Sequence, residues 1–200
     1  MNKLDDSLMH YVDTDFTELD VACSEIDGKT FANCTFKRSN FSEATLSSCR
    51  FEECEFVSCN LSLVKIPDCV FYETTFTDCK LLGVNWTSAR WSNVKMHAPI
   101  KFTGCVVNDS SFYGLHLAEI QFQHCKIHDV DFTECVLDDA SFCFSDLRHS
   151  VFRNTSLNRA DFVDATNYQI DIFCNQLEQA KFSLPEASSL LNSLNIELYD

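Results

Sequence analysis

The chain has 200 residues, a mass of 22.8 kDa and a formal charge of −15, with 30 acidic residues against 15 basic ones. That length suits one domain with a sizeable core. The acidic excess opposes binding to nucleic-acid phosphates or to an anionic membrane surface, and no apolar run reaches the ~18 residues of a membrane-spanning helix.

Residues 1–15 read as an N-terminal cap. They open Met-Asn-Lys-Leu-Asp-Asp, without the apolar stretch of a signal peptide.

From Phe16 to Met96 every fifth residue is large and apolar, as at Phe31, Phe36, Phe41, Leu46, Phe51 and Phe56. We call this position i. The residue at i−2 is small almost throughout: Cys34, Ser39, Ala44, Cys49, Cys54, Cys59. Lys29 is the one clear charged violation, and the first coil, roughly residues 16 to 31, is expected to be looser. One extra residue then enters within Met96-His97-Ala98-Pro99-Ile100-Lys101-Phe102. A cis Ala98–Pro99 bond would absorb it as a kink.

The period resumes at Phe102 and runs through Phe112, Phe122, Phe132, Phe142, Phe152 and Phe162. It falters at Asn167 and continues through Ile172, Leu177 and Phe182. Sixteen of the 18 Phe sit at i; Phe144 and Phe173 do not. Nine of the 12 Cys sit at i−2.

A five-residue period fits neither a helix nor a single strand. Four fives close a square coil whose stacked sides pair at β spacing, with i and i−2 inward. The charges agree. Of 24 acidic residues from Asp15 to Phe182, twelve lie at i+2, eight at i−1 and four at i+1, with none at i or i−2. A wrong register would bury some of them at high cost.

Cysteines spaced by five follow the fold period and carry no zinc-ligand spacing. They read as free thiols acting as small core residues, suited to a reducing cytoplasm. His124 and His128 fall on different sides of the coil, so no metal site is expected. No phosphate loop, nucleophile elbow or other catalytic motif is present, so neither an enzyme nor a cofactor is expected.

Residues 183–200 change character. Ser183 or Leu184 is placed to cap a helix that has Pro185 at its first position. Leu190, Leu191 and Leu194 would share one face of an α-helix, and Ile196 and Leu198 alternate like a strand. Together with Leu184 and Pro185, they form a candidate interface for a two-fold dimer.

The repeat, in stretches such as Ser39-Asn40-Phe41 and Ala160-Asp161-Phe162, resembles the pentapeptide repeat family, consensus A(D/N)LXX. That resemblance implies an all-β, right-handed quadrilateral parallel β-helix over residues 16–182, followed by a short C-terminal α-helix. About 34 units make roughly 8.5 coils, or about 40 Å at ~4.8 Å per coil. The ending is similar to the Qnr-type topoisomerase-protecting subgroup, in which a C-terminal helix dimerises the chain. With a single extra residue as its only break, the chain looks most like the loopless albicidin-resistance relatives.

The resemblance implies a cytoplasmic homodimer that mimics DNA and binds DNA gyrase or topoisomerase IV. It would protect that enzyme from poisons such as quinolones or albicidin and so confer antibiotic resistance. A dimer of two 40 Å rods would span about 24 base pairs at ~3.4 Å each, with the sign though not the density of DNA charge. Acidic residues nearest the dimer centre are the candidate contacts: Asp131, Glu134, Asp138, Asp139, Asp146, Asp161, Asp164 and Asp171. The alternative is a structural scaffold for another protein partner.

Overall fold

The computed structural model describes residues 4, 5, 7–91 and 100–196. Short parallel strands of two to four residues stack into a four-sided coil, the quadrilateral parallel β-helix expected from the period. Face 1 is the most regular. It runs through Asp15–Thr17, Thr35–Lys37, Glu55–Val57, Thr74–Thr77, Ile100–Thr103 and Gln121–Gln123, then Asp161–Phe162 and Lys181–Phe182. Face 2 is a ladder of single bridges from Asp20–Asn40 to Asp146–Thr166. Face 3 begins with Glu25–Asp27 on Thr45–Ser47. Face 4 stacks His10–Val12, Thr30–Ala32, Arg50–Glu52 and Val70–Tyr72.

The i residues form columns. On face 1, Phe16, Phe36, Phe56, Phe76, Phe102, Phe122, Phe142, Phe162 and Phe182 stack ring on ring, with centroids 4.6–5.4 Å apart. Rings on neighbouring faces meet edge-on, as Phe31 meets Phe36 and Phe132 meets Phe142. Both geometries suit the aromatic quadrupole. Eight steps at ~4.8 Å give a rod of about 40 Å. Phe144 and Phe173, out of register, point outward.

The small i−2 residues have a polar task besides filling space. Sγ of Cys54, Cys59, Cys79 and Cys105 donates to the carbonyl of the i residue 23 or 29 positions earlier, at 3.2–3.4 Å. Ser110, Ser145, Ser150 and Thr155 do the same with hydroxyls. Some also accept, as Cys79 Sγ does from Cys59 N and Cys105 Sγ from Cys79 N. Inward-facing backbone groups are thereby satisfied without water. All twelve cysteines are free.

Four details differ from the sequence reading. First, the stack starts before Phe16: strand His10–Val12 pairs with Thr30–Ala32, and Tyr11 lies on Phe31. This draws the end of the 1–15 cap into the coil. Lys29, the charged violation, is buried here, and its Nζ donates to the carbonyls of Asp5 and Leu8 at 3.0 and 2.6 Å.

Second, Phe76 pairs with Phe102 and Asn85 with Ser111, a step of 26 residues where other coils step 20. The chain therefore spends six surplus residues there, not one. They fall between Trp91 and Ile100, and the expected Ala98–Pro99 kink lies outside the described residues. The expectation of a single extra residue is corrected accordingly.

Third, at the falter Asn167 takes a left-handed φ of 59° and Tyr168 turns inward in its place. Ile170 then pairs with Phe152, while Ile172 is only half-buried. The face bulges at 171–173 before Gln176 regains register with Ser156. Fourth, the terminal helix is a 3-10 helix, Glu186–Leu194, and the cis peptide bond among the described residues is Leu184–Pro185.

Candidate partner-binding surface

Nearly every side of the coil ends in a corner at i+2, and that corner residue adopts φ of roughly 47–69° whether or not it is glycine, as at Glu53, Glu73, Asp109, Glu134 and Asp139. Left-handed backbone is costly for most side chains. Here it is repaid by a regular bond: most corner N–H groups donate to a carbonyl one coil on, as Glu53 N does to Tyr72 O at 2.8 Å and Glu134 N to Arg153 O at 2.8 Å. The short polar side chains at corners tolerate this conformation best. The outward carboxylates thus stand in straight columns on a rigid frame.

The eight acidic residues expected at the contact are not brought together; they divide among all four faces. Asp161 and Asp164 lie on face 1, Asp146 on face 2, Asp131, Glu134 and Asp171 on face 3, and Asp138 and Asp139 on face 4. Several are committed to neighbours one coil away. Arg159 donates twice to Asp139 at 2.8 and 2.7 Å. Asp138 accepts from Ser156 Oγ and Asn158 N. Asp146 holds His128 Nε2 at 2.7 Å and Asn167 Nδ2 at 2.8 Å. Lys181 Nζ reaches Asp161 at 3.3 Å. Asp131, Glu134 and Asp171 form no salt bridge among the described residues.

These contacts set the acidities. The hydrogen bond from Arg159 holds Asp139 below the usual carboxylate range. Burial pushes Asp146 upward, but the bonds from Asn167 and His128 outweigh it and hold the group low. Asp161 behaves likewise, its burial outweighed by bonds that include Val163 N and Lys181. Burial, helped by nearby negative groups such as Glu52 and Asp131, pushes the Cys54 and Cys135 thiols up to about 12, so they stay protonated.

The sequence reading placed the acidic residues outward but missed their distribution around the coil. Among described outward positions from His10 to Ser183, faces 3 and 4 carry fourteen acidic residues against five basic ones. Faces 1 and 2 carry eleven against seven. Glu53, Glu73 and Glu119, all face 4 corners, had a signal in their 20- and 46-residue spacing, the second being one regular coil plus the 26-residue one.

At the C-terminal end, Glu186–Leu194 lies across the last coil. Ser183 Oγ does not cap it but accepts from Asp164 N, and Pro185 takes the cap position without a side-chain bond. Glu186 Oε1 accepts from Asn167 N, tying the helix to the coil. A 3-10 helix has three residues per turn, so residues 188, 191 and 194 share the outward side. Leu191, Leu194 and Ile196 are exposed, as is Leu184 at 84%. Leu190 instead packs against the core, which corrects the single leucine face expected of an α-helix. Leu198 lies outside the described residues.

Among the described residues, no three His, Cys, Asp or Glu are grouped to hold a metal ion, and no helix is long and apolar enough to cross a membrane.

A four-sided repeat rod with an acidic exterior is the class these features define. A family profile described as the pentapeptide repeat region matches residues 29–100, 49–132 and 84–162, and the chain belongs to the pentapeptide repeat family. Among solved structures, a trypsin-treated variant of QnrB1, a plasmid-mediated fluoroquinolone resistance protein, aligns with a TM-score of 0.62 at 16% identity. The match covers 98% of this chain and 95% of that one. A second trypsin-treated QnrB1 variant gives 0.51 at 19% identity with the same coverage. HetL, a pentapeptide repeat protein involved in heterocyst differentiation regulation from the cyanobacterium Nostoc sp. strain PCC 7120, gives 0.48 at 12% identity, over 87% of each chain. Comparison with curated proteins finds no match. At these identities the two QnrB1 structures show a likeness of fold alone.

Proposed function

We propose that this chain is a DNA-mimicking protein that binds a type II topoisomerase, DNA gyrase or topoisomerase IV, and protects it from poisons such as quinolones or albicidin. The observation that carries this reading is the narrow rod with fixed columns of outward carboxylates, fourteen acidic residues against five basic ones on two adjacent faces. A cleft that evolved for a duplex attracts such a rod by shape and sign. The fluoroquinolone resistance stated for QnrB1, which shares the fold along 98% of this chain, supports the choice of target. The chain acts without a catalytic step, in the cytoplasm, as a homodimer joined through the exposed Leu184, Leu191, Leu194 and Ile196.

The test is gyrase or topoisomerase IV activity titrated with a quinolone or albicidin, with and without the purified protein. Restored supercoiling or decatenation, together with binding that weakens as salt rises, is expected. No rescue and no binding at low salt would refute the reading.

A scaffold role is the second reading, favoured by the coil-to-coil pairs Glu18–Arg38, Asp139–Arg159 and Asp161–Lys181, which spend part of the acidic charge internally. Salt-insensitive binding to a different protein would support it.

A further inference from the structure

We infer that the partner docks on the C-terminal half of face 3, where exposed apolar side chains and unneutralised carboxylates interleave. This rests on the proposed function and assigns its contact face.

Tyr113 is 48% exposed, Val151 48% and Phe173 71%. They stand on one face over three coil steps, about 14 Å at ~4.8 Å per step. Between them lie Asp131, Glu134 and Asp171. Each of these carboxylates is oriented by a local bond: Thr133 N to Asp131 at 2.9 Å, Tyr113 OH to Glu134 at 2.9 Å, and Phe173 N to Asp171 at 2.8 Å. None is spent in a salt bridge among the described residues, whereas Asp139, Asp146 and Asp161 are.

The two chemistries do different things. Carboxylates facing a basic protein wall accelerate encounter, and their effect fades with salt. Exposed aromatic anchors, once desolvated, slow dissociation. DNA offers no such side chains, so the apolar trio gives a protein partner contacts beyond mimicry. The occupant this surface fits is a Lys- and Arg-lined groove with apolar floor contacts, as on a duplex-binding enzyme.

Binding kinetics of the full-length chain with purified gyrase separate the roles. The Tyr113→Ser, Phe173→Ser double variant is expected to raise the dissociation rate about tenfold, with the association rate held within about threefold. Tyr113→Phe should retain slow dissociation. Asp131→Lys with Glu134→Lys is expected to slow association and flatten its salt dependence. Asp15→Lys with Glu55→Lys makes the same charge change on face 1 and should do neither. All four variants are surface changes, and thermal unfolding identifies any that fail to fold. If the face 1 pair weakens binding as much as the face 3 pair, or the aromatic variant binds normally, the docking face is wrong while the proposed function stands. If the unaltered protein does not bind gyrase, both fall.

Discussion

The Arg159 guanidinium sits one coil from Asp139 and donates two parallel hydrogen bonds to its carboxylate, at 2.8 and 2.7 Å. Both groups are at a corner of face 4, and both are about half open to solvent. The pair therefore contributes little to stability, but it removes one negative charge from the most acidic side of the rod. Arg159→Ala is expected to leave thermal unfolding nearly unchanged and to tighten binding to a cationic partner at low salt. Unchanged affinity with a melting temperature well below that of the parent would contradict this.

Acid should destabilise the coil in a defined window. Asp139, Asp146 and Asp161 are all held below the ordinary aspartate value of 3.8. A carboxylate whose folded pKa is depressed stabilises the fold above its unfolded value, and that stability is lost as pH falls through the folded value. Denaturant midpoints are thus expected to be flat above about pH 5 and to fall below about pH 4. Replacing Asp146 by Asn should shrink that fall; a fall of equal size in the variant would show that other groups drive it.

The thiol column offers a sharper comparison. Cys79 Sγ donates to Phe56 O and accepts from Cys59 N, both inside the core. Cys79→Ala strands both groups and should cost about 1–3 kcal/mol in chemical unfolding. Cys79→Ser keeps a donor and an acceptor, as Ser39 and Ser145 do in the same column, and should cost less than alanine. The reverse order would mean that volume, not hydrogen bonding, selects this position.

Phenylalanine position should matter more than phenylalanine count. Phe132 is fully buried between Phe112 and Phe152, while Phe144 is 53% exposed beside His124. Phe132→Ala is expected to cost about 3–5 kcal/mol. Phe144→Ala leaves no cavity, and its unfolding midpoint should stay close to that of the parent. Equal losses from the two would refute the inward register.

The leucines of the terminal helix should separate as well. Leu191→Asp with Leu194→Asp changes the exposed side and is expected to give a folded monomer by sedimentation. Leu190→Asp faces the last coil and is expected to lower the melting temperature instead. A double variant that remains dimeric would place the interface elsewhere.

Much of this was legible because inward and outward are local properties. A residue at i or i−2 is buried whatever the coil does next, so Phe36, Cys54 and Phe132 could be assigned from spacing. Lys29 was visible as a violation, but its solution was not, because the carbonyls of Asp5 and Leu8 that receive it are more than 20 residues away. Tyr168 was invisible for a related reason: only the stacked coil before it shows that Asn167 cannot fill the interior.

The five-residue period by itself determined the coil, its inward columns and its acidic exterior. It did not determine which carboxylates share a face. A surplus of six residues and a surplus of one leave the same phase in a period of five, and only the backbone pairing of Phe76 with Phe102 distinguishes them. Each surplus of five rotates everything after it by one side of the square. Hydrogen bonds between coils fix that rotation, and they decided that Tyr113, Asp131, Glu134 and Phe173 stand together while Asp146 and Asp161 do not.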